Sequence, residues 1–387
     1  MSEGRSSHFI LGRLPLSLML AGVLALVLAV ALGTVEIKRF LVAWQGGWTF
    51  AVSLSIGALF VLLFASLTGS TWIVAVRRVG ESLSMLFPLW AVLAIPILLS
   101  APALYPWADT ERAAHDPVLV QRLAFMNLPF FSLRGLAYLG VFFGLALLLR
   151  RSSLAGRPTI DRMRFLAGPG MVAFALCATF AAFDWVMSLA GTWYSTIFGI
   201  YFFVGAATGA LGLWLFLTAL LERRGLWGVP VGVEHRHDLA KYLYTLTLFW
   251  AHVAFLQFLL IWYAKLPEET FYYAVRSRYG WEWVTGALMV GHLLLPIFLF
   301  MGRRAKRSLA LGGFFGLWML LMHALDVWWM TAPSNFPMRR LGAVEILCFL
   351  GFGLLAVGGV LRLLGRSPLV PDQDPRLEAS LKLRSEP

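Results

Sequence analysis

Two aspartates sit where the chain is otherwise apolar. Asp184 lies in Phe183-Asp184-Trp185-Val186-Met187-Ser188-Leu189, and Asp326 in Leu325-Asp326-Val327-Trp328-Trp329-Met330. An ionised aspartate deep in hydrocarbon costs roughly 2.5 to 3.5 kcal/mol on insertion scales. Two of them beside intramembrane histidines point to proton transfer, or to binding of a polar headgroup within the bilayer. The competing explanation is ion pairing that orients helices, and Arg134 is then the natural partner for Asp184. His323 and Asp326 are three residues apart and so share one helical face. Asp184, Ser188 and Cys177 share another, and Glu345 falls toward the same end of its apolar run as the two aspartates.

A third constellation lies upstream of Asp326. Lys241, His252 and Tyr263 recur every 11 residues, which turns a helix by about 20° per step. With Thr245 they form one polar stripe with His252 near mid-membrane. Histidine titrates near neutral pH, which suits a relay; equally, His252 suits a hydrogen-bonded core residue with Lys241 and Tyr263 as interface anchors. His292 is also placed near mid-membrane, and Pro296 four residues on can loosen the helix there. A bis-histidine haem between His252 and His292 is conceivable, although diheme bundles need paired histidines along one helix. Arg78 and Glu81, in the amphipathic stretch Thr71–Glu81, fit either the mouth of a proton path or a charged membrane anchor.

The elements that must position these groups follow from composition. Hydrophobic residues make up 59% of 387 and charged residues 13%, with mean hydropathy +0.77, which only a helical membrane protein needs. Ten apolar spans are expected, at about 14–33, 48–67, 84–104, 128–149, 166–190, 194–221, 240–264, 281–301, 308–329 and 341–362. The fold class is therefore all-α and polytopic. The first run could imitate a signal peptide with Ala29-Val30-Ala31 as its cleavage site, but its apolar core is too long for one. The two Asp–Trp segments close the fifth and ninth spans. That spacing suggests two four-helix bundles, about 48–190 and 194–329, flanked by the first and tenth spans.

Charge sets the expected orientation. With the N-terminus inside, 22 Lys and Arg fall in inner segments and nine in outer ones, a positive-inside bias that places both termini in the cytoplasm. The excess positive charge thus reports topology and lipid rather than nucleic acid. The outer connection 105–127 reads as a cap, and the tail 367–387 as mobile or partner-bound. The two cysteines, Cys177 and Cys348, form no CxxC or CxxCH motif, so iron–sulfur ligation and covalent haem are not expected in this chain. No metal site is expected.

Three stretches carry a family resemblance. They are Trp72 with Arg77-Arg78 and Glu81; Phe183-Asp184-Trp185 through Trp193-Tyr194-Ser195-Thr196; and Phe249-Trp250-Ala251-His252 through Gln257, Ile261-Trp262-Tyr263-Ala264 and Leu266-Pro267-Glu268-Glu269-Thr270. Together they resemble the F-type membrane subunit of bacterial alternative complex III, a quinol:cytochrome c oxidoreductase whose membrane subunits are of the NrfD/polysulfide-reductase type. One departure is the Ala190-Gly191 pair, where that family carries a proline-containing turn. The resemblance implies two four-helix bundles with flanking helices in the bacterial inner membrane. It implies partners as well: a sister membrane subunit, an iron–sulfur subunit, and multihaem and monohaem cytochromes c. Menaquinol or another quinone is the implied cofactor, with the quinol site in the sister subunit and proton conduction or structural support here. The readings that compete with it are a non-catalytic scaffold for cytochromes and a secondary transporter.

Overall fold

A computed structural model of the protein describes residues 11–155, 159–229, 231–336 and 341–383. Arg5, Arg157, Arg339, Arg340 and Arg384, which enter the charge count, lie outside the described residues. Among those described, ten helices are long and apolar enough to cross a membrane: Leu14–Gly33, Ile37–Leu67, Val74–Leu99, Leu128–Leu154, Asp161–Ala190, Phe198–Arg223, Val233–Ala264, Trp281–Phe300, Leu309–Thr331 and Ala343–Leu364. They are called spans 1 to 10 in that order. The chain is an all-α polytopic membrane protein, as its composition requires.

Several spans outrun the apolar windows that reveal them. Span 2 begins at Ile37, before the polar Lys38, Arg39 and Gln45, because Arg39 and Gln45 find partners inside the fold. Span 7 begins at Val233 and carries His235, Arg236, His237 and Asp238 in its first turns. Span 3 is broken instead. Helical pieces Arg77–Ser84, Phe87–Leu93, Ile95–Leu99 and Ala101–Leu104 succeed one another, the last three each with proline in the first turn. Proline lacks the N–H that an interior helical bond needs, so each one restarts the helix.

Spans 2 and 6 are the most enclosed helices and cross at the centre. A side chain at Gly57 would strike the Ala206 carbonyl oxygen at 2.1 Å, so the two backbones touch, as small residues permit in membranes. Spans 3, 4 and 5 gather around span 2; spans 7 and 9 pack on span 6, with span 8 against spans 7 and 9; span 10 packs on spans 1 and 2. Outer and inner ends are named here after the charge bias.

The segment 105–127 does cap the outer end. Tyr105, Trp107, Ala113 and Leu119 are buried, and Arg122 donates to the Gly191 and Thr192 carbonyls at 3.1 and 3.0 Å. Gly191, at φ +68°, makes the turn in the left-handed region that glycine alone enters without cost.

The tail corrects an expectation. It is docked under the inner end, with Leu369, Val370, Asp374 and Ser380 buried. Ser380 Oγ accepts from the Ala75 N–H at 3.3 Å and meets His235 Nε2 at 3.3 Å. Polarity and proline content made this segment look mobile, yet Leu369, Val370, Asp374 and Ser380 each find a buried site.

Candidate functional site: two aspartates with different partners

Asp184 closes span 5 and is 1% exposed. Arg134 of span 4 grips it with Nε to Oδ2 at 2.8 Å and Nη2 to Oδ1 at 2.9 Å, the planar two-point geometry that guanidinium favours. Tyr138 adds a third donor to Oδ2 at 2.9 Å. The guanidinium in turn donates to the Phe125 carbonyl at 2.8 Å and lies over the Phe125 and Phe130 rings. Beside it, Gln45 donates to the Trp185 carbonyl at 2.8 Å and Tyr105 to the same oxygen at 3.2 Å. Burial pushes the Tyr105 phenol up, reinforced by Asp184, so it stays a neutral donor. Taking up a proton at Asp184 would break a fully engaged ion pair.

Asp326 closes span 9 and is 0% exposed. Its donors among the described residues are neutral: the Tyr201 hydroxyl on Oδ1 and Trp250 Nε1 on Oδ2 at 3.1 Å. Neutral dipoles alone offset its charge, and protonation there breaks no ion pair. This separates two segments that look alike in sequence.

Imidazoles surround Asp326. His323 is one turn below it, with Nε2 2.8 Å from Ser53 Oγ. Since Ser53 gives its own hydrogen to the Phe50 carbonyl at 2.7 Å, it accepts from His323. The proton is thereby assigned to Nε2, leaving Nδ1 a bare acceptor. That Nδ1 has no hydrogen-bond partner among the described residues. Gly205 makes room for the pair: a side chain there would lie 3.3 Å from Asp326 Oδ2 and 3.5 Å from His323 Nδ1. His292 is fully buried, and neither ring nitrogen has a hydrogen-bond partner among the described residues. It stacks on Trp250 at 3.8 Å, so one tryptophan touches both Asp326 and His292. His292 sits in a π-helical stretch, Met289–Leu294, just before Pro296, so the expected loosening takes this form. Widened turns of this kind often occur at functional positions.

Toward the outer end the polar chain continues. Tyr272 stacks on Trp193 at 3.8 Å with its hydroxyl buried and unpartnered. Tyr273 accepts from Gln257 at 2.9 Å, and Gln257 accepts from Ser195 at 3.2 Å. Burial pushes both phenols up, keeping them neutral. Arg276 caps span 9 through the Trp329 and Met330 carbonyls at 3.1 and 2.9 Å. Asp326 is bonded to Tyr201 and Trp250, Trp250 stacks on His292, and His323 lies one turn from Asp326, which gathers buried carboxyl, hydroxyl and imidazole groups in one region.

Gly209 lines the same pocket. A side chain there would come within 2.3 Å of His323 Cδ2. Gly209→Ala is expected to force the ring from Ser53 and to cost about 1–3 kcal/mol as overpacking. A thermal-melt comparison in detergent checks this; an unchanged melting temperature would contradict the pocket geometry.

Other expected site residues are placed differently. The span 7 stripe exists but faces outward: Lys241, Thr245, His252 and Tyr263 are all exposed, Tyr263 at 83%. The buried face of span 7 is Leu243, Thr247, Trp250, Val253, Gln257 and Ile261. An 11-residue spacing identifies a shared face without saying which way it points. His252 therefore takes no part in an interior relay within this chain, and the bis-histidine arrangement with buried His292 fails. Glu345 is held by Arg39 at 2.7 and 2.8 Å and caps the Gly342 N–H at 2.9 Å, an ion-paired helix cap.

At the inner end, Glu81 is 1% exposed, between Arg78 at 2.6 Å and Arg77 at 3.2 Å. Arg78 also donates to Ser153 Oγ at 2.9 Å, while Arg77 pairs with Asp374 of the tail. Such burial makes this a closed ionic lock rather than an interfacial anchor. Burial pushes the Asp374 carboxyl up, but Arg376 and Arg77 outweigh it and hold the group below its ordinary 3.8. A depressed carboxylate contributes stability that is present above the unfolded value and lost as pH falls through the folded one. Tail docking should accordingly be intact near neutrality and weaken below the ordinary aspartate value. Asp374→Ala should expose residues 369–381 to limited proteolysis at pH 7, and unchanged cleavage would refute the lock.

Comparison of the sequence with protein-family models gives no match, and comparison with curated proteins gives none. The chain is an integral-membrane protein by its ten apolar helices.

An apolar groove of about 420 Å³ runs between spans 9 and 10, lined by residues including Phe50, Leu321, Leu325, Trp328, Ile346 and Phe349. Phe50 separates it from His323, the rings being 5.9 Å apart. Its one charged lining residue is Glu345, already paired with Arg39. The groove fits a prenyl or acyl chain.

Proposed function

We propose that this chain is a proton-handling membrane subunit of a quinol:cytochrome c oxidoreductase of the alternative complex III type. One observation carries the reading: Asp326 is fully buried against neutral donors, one turn from His323, whose Nδ1 has no partner among the described residues. The resemblance supports it, because Trp250 of the most specific stretch touches Asp326 directly. In this reading the cluster takes up and releases protons as quinol is oxidised elsewhere in the complex. A proton carried across the membrane is worth about 2.3 kcal/mol per 100 mV. The resemblance assigns the quinol chemistry to a sister membrane subunit, and that assignment belongs to the same proposal. The iron–sulfur subunit and the multihaem and monohaem cytochromes c belong to the same proposal, as does a bacterial cytoplasmic membrane with both termini inside.

Asp184, Glu345 and Glu81 are ion-paired, so the proposal rests on Asp326, His323 and His292. Gentle isolation from native membranes tests the setting. The chain should co-purify with haem-containing subunits and quinol:cytochrome c reductase activity. Isolation as a free protein that transports a solute would replace this reading with a secondary transporter.

A further inference from the structure

The outward stripe of span 7 has a cost that this chain does not offset. His252 is exposed and has no hydrogen-bond partner among the described residues. Lys241 lies 11 residues before it and Tyr263 11 residues after, all on one face, so each is about 16 Å away at 1.5 Å per residue. The hydrocarbon core is about 30 Å thick, which places His252 near its midplane when Lys241 and Tyr263 reach the two interfaces. An imidazole facing acyl chains there leaves its N–H and its bare nitrogen unsatisfied. Around it, Leu248, Phe249 and Phe255 are also exposed, a surface on which another helix can pack.

We infer that this face of span 7 docks a membrane-spanning helix of another subunit, one that presents a hydrogen-bonding side chain to His252 at the bilayer midplane. Lys241 already pairs with Asp238 at 2.6 Å, so the demand on this face comes from His252. Two imidazoles of a pair of copies meeting head-on share one hydrogen bond, which serves the N–H of only one of them. A different helix with an acceptor at mid-depth serves the His252 N–H in every complex. The inference depends only on the exposed face and holds whatever the complex does.

The test uses the full chain in its native membranes with a photo-crosslinking amino acid at Phe255, one turn from His252. The expected product is a single protein adduct whose joined peptide lies in a spanning segment of a different chain and has a polar residue within one turn of the joint. His252→Leu should lower its yield at least fivefold, while His252→Asn, which keeps a donor and an acceptor, should restore most of it. Adducts to lipid alone, an adduct between two copies of this chain, or a yield indifferent to His252→Leu would each overturn the inference. Isolation without haem subunits would remove the functional proposal and leave this result readable.

Discussion

Replacing Arg134 with methionine should cost about 3–5 kcal/mol, the usual penalty for leaving a buried charge without its partner. The change orphans Asp184, which is 1% exposed, and strands the Phe125 carbonyl that Arg134 also serves. Loss of that magnitude is a large share of a protein's total stability, so the variant should accumulate poorly or melt far below wild type. The double variant Arg134→Met, Asp184→Leu removes both charges and should recover most of the loss, since apolar replacements of a buried pair are often near neutral. A fluorescence melt of the three proteins checks both statements. If the single variant melts like wild type, Asp184 is not the sealed structural pair described above.

Asp326→Asn should behave in the opposite way. Asparagine keeps the shape: its one carbonyl oxygen can accept from Trp250 while its amide NH2 donates to the Tyr201 hydroxyl oxygen, and no cation is orphaned. Folding and assembly should change little, within about 1 kcal/mol for a hydrogen bond altered but not lost. The amide cannot exchange a proton as the carboxyl does. Proton transfer through the cluster should fall by about 10²-fold or more, the scale on which positioned acid–base groups act. His323→Gln should do the same more weakly, because its amide NH2 can reach the Nε2 position and keep the Ser53 contact while the bare Nδ1 is lost. The contrast between Arg134 and Asp326 is the sharpest consequence of two similar Asp–Trp segments having unlike surroundings.

Much of this arrangement was legible in the residues. Apolar run length revealed all ten spans, because hydrocarbon thickness fixes the length a helix needs. The pairing of Arg134 with Asp184 was readable because a membrane bundle offers few other partners for either charge. So was the adjacency of His323 and Asp326, which three-residue spacing dictates. What spacing could not give was the direction of a face. The stripe through His252 is as regular as any buried face, and only packing against spans 6 and 9 decides that Trp250 and Gln257 turn inward. Tyr201, Ser53 and Tyr272 were missed as site residues because a hydroxyl in an apolar run reads as tolerated polarity until its partner in a distant span is known. Trp250 was noticed only as part of a resemblance. Asp374 carried no signal at all: it reaches Arg77 through a segment whose composition suggests a loose tail.

The account turns on whether Asp326 handles protons, and one measurement decides it. The assembled complex carrying Asp326→Asn is reconstituted into vesicles, and proton appearance is followed together with quinol-driven cytochrome c reduction. The expected result is intact assembly with proton release or translocation per electron sharply reduced. Normal turnover with normal proton yield in a fully assembled Asp326→Asn complex would contradict it, and the buried cluster would then be scaffolding.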